Sequence, residues 1–214
     1  DILSDSLDEA DETFSLQISN PTNATISNGS STITIIDDDG TPTLSVSDQT
    51  VREADGSVSV TVNLSAVSSL DVSFDYTTLA DGTAVAGSDF ITASDTITIM
   101  AGEQSATITV DILPDAIDEA DETFSLQISN PTNAAIGNGS STITIIDDDE
   151  APTLSVRDVS VNEGAGIVSV TVDLSVVSGL AVSFDYTTVA NGTATENSDF
   201  TPTSGTATIL ASEQ

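Results

Sequence analysis

The sequence contains no cysteine, no histidine, no lysine and no tryptophan. Because cysteine is absent, no disulfide can hold the fold together, and stability must come from packing or from a bound metal. Zinc, copper and iron are poor candidates for that metal, since their protein sites are built mainly from histidine and cysteine. The same absences leave no nucleophile–base pair of the histidine or cysteine type, which argues against an enzyme.

Positive charge is also nearly absent. The chain has 2 Lys plus Arg against 35 Asp plus Glu, a formal net charge of −33. A protein this acidic repels phosphates, so we expect no nucleic-acid partner and no direct insertion into an anionic membrane. Hydrophobic residues nevertheless make up 38% of the sequence, which is enough to bury a core and argues against a disordered chain.

Long apolar runs and aromatic residues are scarce as well. No stretch approaches the ~20 residues needed to span a bilayer, and aromatic residues make up 4%. Abundant Ser, Thr, Val and Ile favour β-structure over helix. The first residue is Asp1 rather than Met, so we interpret the sequence as a piece of a longer polypeptide.

One block of sequence occurs twice. Residues 8–21 reappear unchanged at 118–131, and residues 74–78 reappear at 184–188. An offset of about 110 residues relates these pairs, which identifies a tandem array. We predict that 1–40 are the closing strands of one repeat, 41–150 a complete repeat and 151–214 the opening strands of the next.

The two partial repeats both lack the strand that corresponds to 105–110. Their sheet edges would therefore be exposed, which invites association. Either neighbouring sequence completes them in the full protein, or copies of the chain complement one another. The first interpretation is the simpler.

Within the complete repeat, apolar and polar residues alternate with a period of two. Val58, Val60 and Val62 share one face of a strand while Ser59 and Thr61 share the other. Similar runs predict strands at 43–47, 58–64, 72–76, 95–100, 105–112, 123–128 and 141–147, with turns that include Asn130–Pro131. Seven short strands, each with one apolar face, predict an all-β fold: an antiparallel, immunoglobulin-like β-sandwich in every repeat.

Acidic residues of the complete repeat cluster in the connections between these strands. In a Greek-key sandwich, the turn after the first strand, the turn between the fifth and sixth strands and the end of the last strand can all lie at one end. Crowded carboxylates repel unless a cation or protons intervene. Ca²⁺ takes six to eight oxygen ligands in flexible geometry, whereas Mg²⁺ prefers to keep its waters. The pattern therefore predicts a Ca²⁺ site.

These acidic segments resemble a known family. Residues 115–124 are similar to the D-x-x-x-E-x-x-E-x-F segment of Calx-beta domains, and 145–149 to their closing acidic run. Glu53 matches the acidic residue after the first strand of that family, and 87–90 resemble its G-x-D-[FY] motif. The resemblance implies seven-stranded sandwiches that hold Ca²⁺ at one end, although Pro114 stands where exchanger domains often carry another acid.

The resemblance also implies which residues bind the metal. In the complete repeat the implied ligands are carboxylates and one backbone carbonyl: Glu53, Asp89, Asp115, Ile117 (carbonyl), Glu119, Glu122, Asp147, Asp148 and Asp149. In the first partial repeat the same positions are Asp5, Leu7 (carbonyl), Glu9, Glu12, Asp37, Asp38 and Asp39, and in the last they are Glu163 and Asp199. We expect Asp118 and Asp121 to face solvent.

The function expected from repeated, cysteine-free, acidic modules is structural. We expect Ca²⁺ to stiffen the extracellular stalk or filament of a bacterial adhesin, whose partners are neighbouring repeats and, in a fibre, further copies of the chain. The alternatives are an adhesive or ligand-binding module and a calcium sensor domain of a membrane protein. An enzyme is disfavoured.

Overall fold

The computed structural model describes residues 1–213, and within them the chain is built from β-strands and two short 3₁₀ turns, Glu53–Asp55 and Glu163–Ala165. The all-β sandwich predicted from the sequence is confirmed. No helix among the described residues is long and apolar enough to cross a membrane.

The strands in chain order are β1 (Glu12–Gln17), β2 (Ser30–Ile35), β3 (Thr43–Ser45), β4 (Gln49–Arg52), β5 (Ser57–Leu64), β6 (Val72–Leu79), β7 (Ser94–Ile99), β8 (Ser105–Asp111), β9 (Glu122–Thr132), β10 (Ala135–Asn138), β11 (Ser140–Ile146), β12 (Leu154–Val156), β13 (Val172–Leu174), β14 (Val182–Thr187) and β15 (Ser204–Ile209).

Strands β3–β11 form two sheets. One has four strands in the order β10-β3-β5-β8, and the other has five in the order β4-β11-β9-β6-β7. The alternation seen in the sequence decides which side chains enter the space between the sheets. In β5, for example, Val58, Val60 and Val62 are buried while Ser59 and Thr61 are exposed.

Aromatic rings mark the centre of the core and its link to the acidic end. Phe90 and Phe124 are fully buried and stack with ring centroids 4.0 Å apart. Phe124 lies near the start of β9, and Phe90 directly follows Asp89 in the β6–β7 connection. The stacked pair therefore fixes two of the acid-bearing segments relative to each other.

The sequence predicted one strand in this region, and the structure has two, one in each sheet. The prediction at 43–47 corresponds to β3, which ends at Ser45, and a second strand, β4, follows after residues 46–48. The two strands pair in parallel with β10 and β11 respectively. The interruption is held by the Ser141 hydroxyl, which donates to the Ser47 carbonyl at 2.8 Å, and by the Thr142 amide, which donates to Asp48 Oδ1 at 2.8 Å. The crossing closes one edge of the sandwich and places Glu53 at its end.

The predicted turn at Asn130–Pro131 was wrong. Strand β9 continues through both residues to Thr132, and the register against β6 shifts there. Proline cannot donate to the ladder, and Asn130 adopts a φ of 50°, so the chain accommodates both residues in an irregular pairing rather than in a turn.

The partial repeats contain the same local pairings, but each of their sheets has only two strands. Strand β1 pairs with β2, β12 with β13 and β14 with β15. The consequence is visible in equivalent residues: Phe14 in β1 is 48% exposed, whereas Phe124 in β9 is fully buried. Burial of these apolar faces therefore requires the opposing sheet that the complete repeat has.

Candidate metal centre

Four connections of the complete repeat bring carboxylates into one cleft. They are the 3₁₀ turn after β4, the β6–β7 connection, the segment between β8 and β9, and the end of β11. The cleft is lined by Glu53, Asp89, Glu119, Glu122 and Asp147, with Ala120 and Ile145. The Greek-key argument placed Glu53, Glu119, Glu122 and Asp147 at one end of the sandwich. The family resemblance added Asp89, and the structure brings all five together.

The carboxylates approach one another closely, and none of them forms an ion pair with a positive side chain among the described residues. Oxygen atoms of Glu53, Asp147 and Asp149 all lie within 4.8 Å of one another. Glu53 is only 8% exposed. Within residues 1–213 the ion pair that forms is Arg157–Asp173, which lies in the last partial repeat.

Backbone hydrogen bonds fix the segment before β9 over Glu53. The Asp115 amide donates to Glu53 Oε1 at 2.7 Å, and the Ile117 amide donates to Asp115 Oδ1 at 2.8 Å. Each of these bonds uses one oxygen of its carboxylate, and the second oxygen can bind a metal ion. The backbone thus orients the acids without neutralising them.

Asp89 is held by its own loop. The Val85 amide donates to Asp89 Oδ2 at 2.5 Å, and the Leu113 amide donates to the Asp89 carbonyl at 2.9 Å. The equivalent bond recurs in the last partial repeat, where the Thr195 amide donates to Asp199 Oδ2 at 2.7 Å. This recurrence shows that the loop is a local structure that does not need the complete sandwich.

The crowding changes how the carboxyl groups hold protons. Burial, a hydrogen bond with Asp89 and the neighbouring charges raise the pKa of Glu122 to about 7. Burial and nearby carboxylates also raise the pKa of Glu119, and burial is the largest cause of the raised pKa values of Glu53 and Asp147. Groups with raised pKa values mark a place where added positive charge is favourable.

One oxygen in the cluster has no partner. Asp147 Oδ1 is buried, and among the described residues no donor reaches it. A buried carboxylate oxygen without a hydrogen bond is costly, and a cation removes that cost. The donor set consists of oxygen atoms, as Ca²⁺ requires. The residues therefore fit the metal that the sequence predicted.

Two neighbouring acids turn away from the cleft. Asp148, a predicted ligand, accepts a hydrogen bond from the Ala54 amide at 3.3 Å and does not line the cleft. Asp121 is exposed, as expected, although its carboxylate accepts a bond from the Asp147 amide at 3.3 Å.

Asp118 corrects the expectation that it would face solvent. It is partly buried, and its carboxylate and carbonyl both accept hydrogen bonds from the Ser178 hydroxyl, at 3.1 Å and 3.3 Å. Asp8 makes the same contacts with Ser68. In both pairs the aspartate and the serine are 60 positions apart along the chain. That equal spacing was visible in the sequence, but only the fold shows that the aspartate and the serine meet.

The first partial repeat shows the same arrangement with its own acids. The Leu7 amide donates to Asp5 Oδ1 at 3.0 Å, as Ile117 does to Asp115. Burial and the surrounding carboxylates raise the pKa values of Glu9 and Asp39. The acids that line one cleft here are Asp5, Glu9, Glu12, Asp37, Asp38 and Asp39.

In the last partial repeat the two predicted residues line a common cavity. Glu163 lies in the second 3₁₀ turn, and both it and Asp199 are exposed. The exposure of Glu163 contrasts with the burial of Glu53 at the equivalent position. The difference follows from the strands that cover Glu53 in the complete repeat.

A protein-family comparison matches this architecture along nearly the whole chain. The Calx-beta domain model matches residues 1–39, 37–149 and 150–210. The chain belongs to the Calx-beta domain family. The resemblance seen in the sequence motifs is thereby confirmed, and the three matched stretches reflect the repetition of Calx-beta domains.

The solved structures to which the chain is similar include domains of Calx. The apo form of the Calx CBD1 domain is 25% identical, with 51% of this chain and 100% of that chain covered and a TM-score of 0.48. CBD12 from CALX1.2 is 25% identical, with 79% and 70% covered and a TM-score of 0.48. The calcium binding domain CBD12 of CALX1.1 is 23% identical, with 79% and 71% covered and a TM-score of 0.47.

Proposed function

We propose that the chain is a set of Calx-beta modules that bind Ca²⁺ at one end of each repeat and that use the metal structurally. The observation that carries the proposal is the buried, unpartnered Asp147 Oδ1 within a group of carboxylates that form no ion pair among the described residues. Membership in the Calx-beta family supports calcium as the cofactor.

The chain's own residues determine what binding achieves. Glu53, Asp147 and Asp149 supply the closest group of carboxylate oxygens, and Glu119 and Glu122 complete the wall of the cleft. Ca²⁺ supplies the positive charge that lets these groups remain ionised side by side. The segment between β8 and β9 and the end of β11 then become fixed relative to each other.

Short linkers carry this order from one repeat to the next. The acidic run 147–149 is followed within about three residues by Pro152, and 37–39 is followed by Pro42, so the connection is too short to behave as a flexible coil. A chain of such modules is a stiff rod when the metal is bound. This is the behaviour required of a stalk or filament.

The proposed setting is the cell surface or the extracellular space of a bacterium. Extracellular Ca²⁺ sites bind typically in the ~10⁻⁴–10⁻³ M range, and external fluids reach these concentrations while cytosol does not. Nearly identical repeats favour a stalk, since a stalk needs length rather than diversity. Neighbouring repeats are its first partners.

Two other functions remain as alternatives. A calcium sensor domain of a membrane protein would share the same site, and the full-length sequence distinguishes it by membrane spans elsewhere. A ligand-binding module would need a recognition surface. The aromatic residues Phe74, Phe90 and Phe124 are buried in the core, which disfavours an aromatic binding platform. We propose no catalytic role.

Metal removal tests the proposal. A ligand that binds only the folded state raises the free energy of unfolding by RT ln(1 + [L]/Kd), which is about 2.7 kcal/mol at a hundredfold excess over Kd. Chelation with EDTA is therefore expected to lower the melting temperature markedly, and excess CaCl₂ to restore it, as followed by circular dichroism. An unchanged melting curve would rule out structural calcium.

A further inference from the structure

The end of each repeat that carries the acidic cleft also contacts the following repeat. The Gly179 amide donates to the Asp118 carbonyl at 3.0 Å, and the Ser178 hydroxyl donates to Asp118 Oδ2 at 3.1 Å. Ser178 is 1% exposed although most of its repeat is open to solvent. The contact therefore buries a polar group that is fully provided with partners.

The same contact is made at the preceding joint. The Ser69 amide donates to the Asp8 carbonyl at 3.1 Å, and the Ser68 hydroxyl donates to Asp8 Oδ2 at 3.0 Å. Ser68 is also 1% exposed. Equivalent residues make the same hydrogen bonds at both joints, which indicates a specific docking surface between consecutive repeats.

The serine hydroxyls are organised on their own repeat before docking. The Leu70 amide donates to Ser68 Oγ at 3.0 Å, and the Leu180 amide donates to Ser178 Oγ at 3.1 Å. With its lone pair engaged by that amide, each hydroxyl directs its proton outward to the aspartate of the preceding repeat. The serine hydroxyl is thus oriented by its own repeat for the bond to the aspartate.

Among the residues that make these hydrogen bonds across the joint, the two joints differ at one position. Ser69 adds a further hydrogen bond, from its hydroxyl to the Asp8 carbonyl at 3.2 Å, whereas its counterpart is Gly179. A Cβ on Gly179 would lie 2.6 Å from Glu119 Oε1 and 2.7 Å from Glu119 Cγ. The side chain of Glu119, which lines the acidic cleft, therefore occupies the space that glycine leaves open.

We propose that Asp8 and Asp118 latch each repeat onto Ser68 and Ser178 of the next, and that the residue after the serine sets whether the latch also contacts the cleft carboxylate. At the second joint, docking and the position of Glu119 are coupled through Gly179. At the first joint, serine strengthens the latch instead. The latch does not depend on calcium, while its coupling to calcium affinity rests on the proposed function.

Hydrogen exchange tests the latch in the calcium-free chain. The Gly179 amide is expected to be protected in EDTA, and Ser178→Ala is expected to speed its exchange at least tenfold. Ser198→Ala, an exposed serine of the same partial repeat, serves as the control and is expected to leave the rate unchanged. Free exchange of the Gly179 amide in the wild type, or no acceleration in Ser178→Ala, would overturn the latch.

Calorimetric titration with CaCl₂ tests the coupling. Gly179→Ser forces Glu119 to move by several tenths of an ångström, which is more than metal–ligand distances tolerate, so calcium affinity is expected to fall at least threefold while the residue 179 amide stays protected. Gly192→Ser, where an added Cβ meets nothing within 4 Å, is the matched control. Equal affinities for Gly179→Ser and the wild type would overturn the coupling.

If the wild type bound no calcium, the proposed function and the coupling would both fail, and the hydrogen-exchange result would still decide the latch.

Discussion

The carboxyl groups of the cleft differ in how strongly each holds a proton, and Glu122 is the extreme case. Its pKa of about 7 lies above its ordinary value of 4.5, because burial and the hydrogen bond with Asp89 favour the neutral form. Since the folded state holds this proton more tightly than the unfolded state, its stabilising effect is present below pH 4.5 and is lost as the pH rises through about 7. Calcium needs the ionised form, so its affinity follows the opposite trend.

Glu122→Gln separates these two effects. The calcium-free wild type is expected to melt at a lower temperature at pH 8 than at pH 5.5, and the variant to lose most of that difference because glutamine does not titrate. The variant is also expected to gain less stability from calcium, since one charged oxygen ligand is lost. Melting curves at both pH values, with EDTA and with CaCl₂, measure both changes.

Asp95→Asn is the control for the loss of one negative charge. Asp95 is exposed in β7, and its carboxylate bonds to the adjacent Thr96 amide, a bond that asparagine retains. The account is contradicted if this variant and Glu122→Gln respond to pH and calcium alike.

The sequence predicted where the acidic residues gather, but it did not predict which of their side chains enter the cleft. The Greek-key arrangement predicted which acidic connections would converge, because alternate connections of such a sandwich lie at the same end. It did not separate Asp147, which lines the cleft, from Asp148, which turns to the Ala54 amide. Three consecutive aspartates carry no sign of which side chains point inward. The partner of Asp118 was also invisible, since it lies in another repeat.

Among the elements, the start of β9 links the core to the acidic cleft. Glu122 is its first residue, and the next residue, Thr123, meets the β6–β7 connection at Gly82, where an added Cβ would lie 2.1 Å from the Thr123 carbonyl oxygen. The Ala84 amide donates to that carbonyl at 2.9 Å. The close approach fixes the strand that positions Glu122.

Gly82→Ala is expected to force these two segments apart. Overpacking of this kind typically costs about 1–3 kcal/mol, and the shift of β9 is expected to weaken calcium binding as well. Gly192→Ala is the matched control, because a Cβ at this equivalent position meets nothing within 4 Å. Equal melting temperatures for the two variants would contradict the role assigned to this contact.

The strands themselves were largely predictable, and the exceptions have physical causes. Alternation predicted β5 because every second residue enters one core. It missed β4, since that strand forms by pairing with β11, and the bonds that hold residues 47 and 48 come from 94 positions further along the chain. The turn predicted at Asn130–Pro131 failed because the ladder with β6 overrides the local preference.

For the whole molecule, the net charge of −33 leads us to expect that bound calcium stiffens the chain. Without metal, repulsion between the acids is expected to loosen the end loops and the joints. Small-angle X-ray scattering should show a larger radius of gyration and greater flexibility in EDTA than in CaCl₂. Sodium chloride at equal ionic strength separates charge screening from binding. If sodium chloride reproduced the effect of calcium, stiffening by specific sites would be contradicted.

The most direct test of the central claim is an anomalous difference map from crystals grown with calcium. We expect peaks within the complete repeat at about 2.3–2.6 Å from carboxylate oxygens, among them those of Glu53, Asp147 and Glu119. A map without such peaks, in which these side chains separate into water, would contradict it.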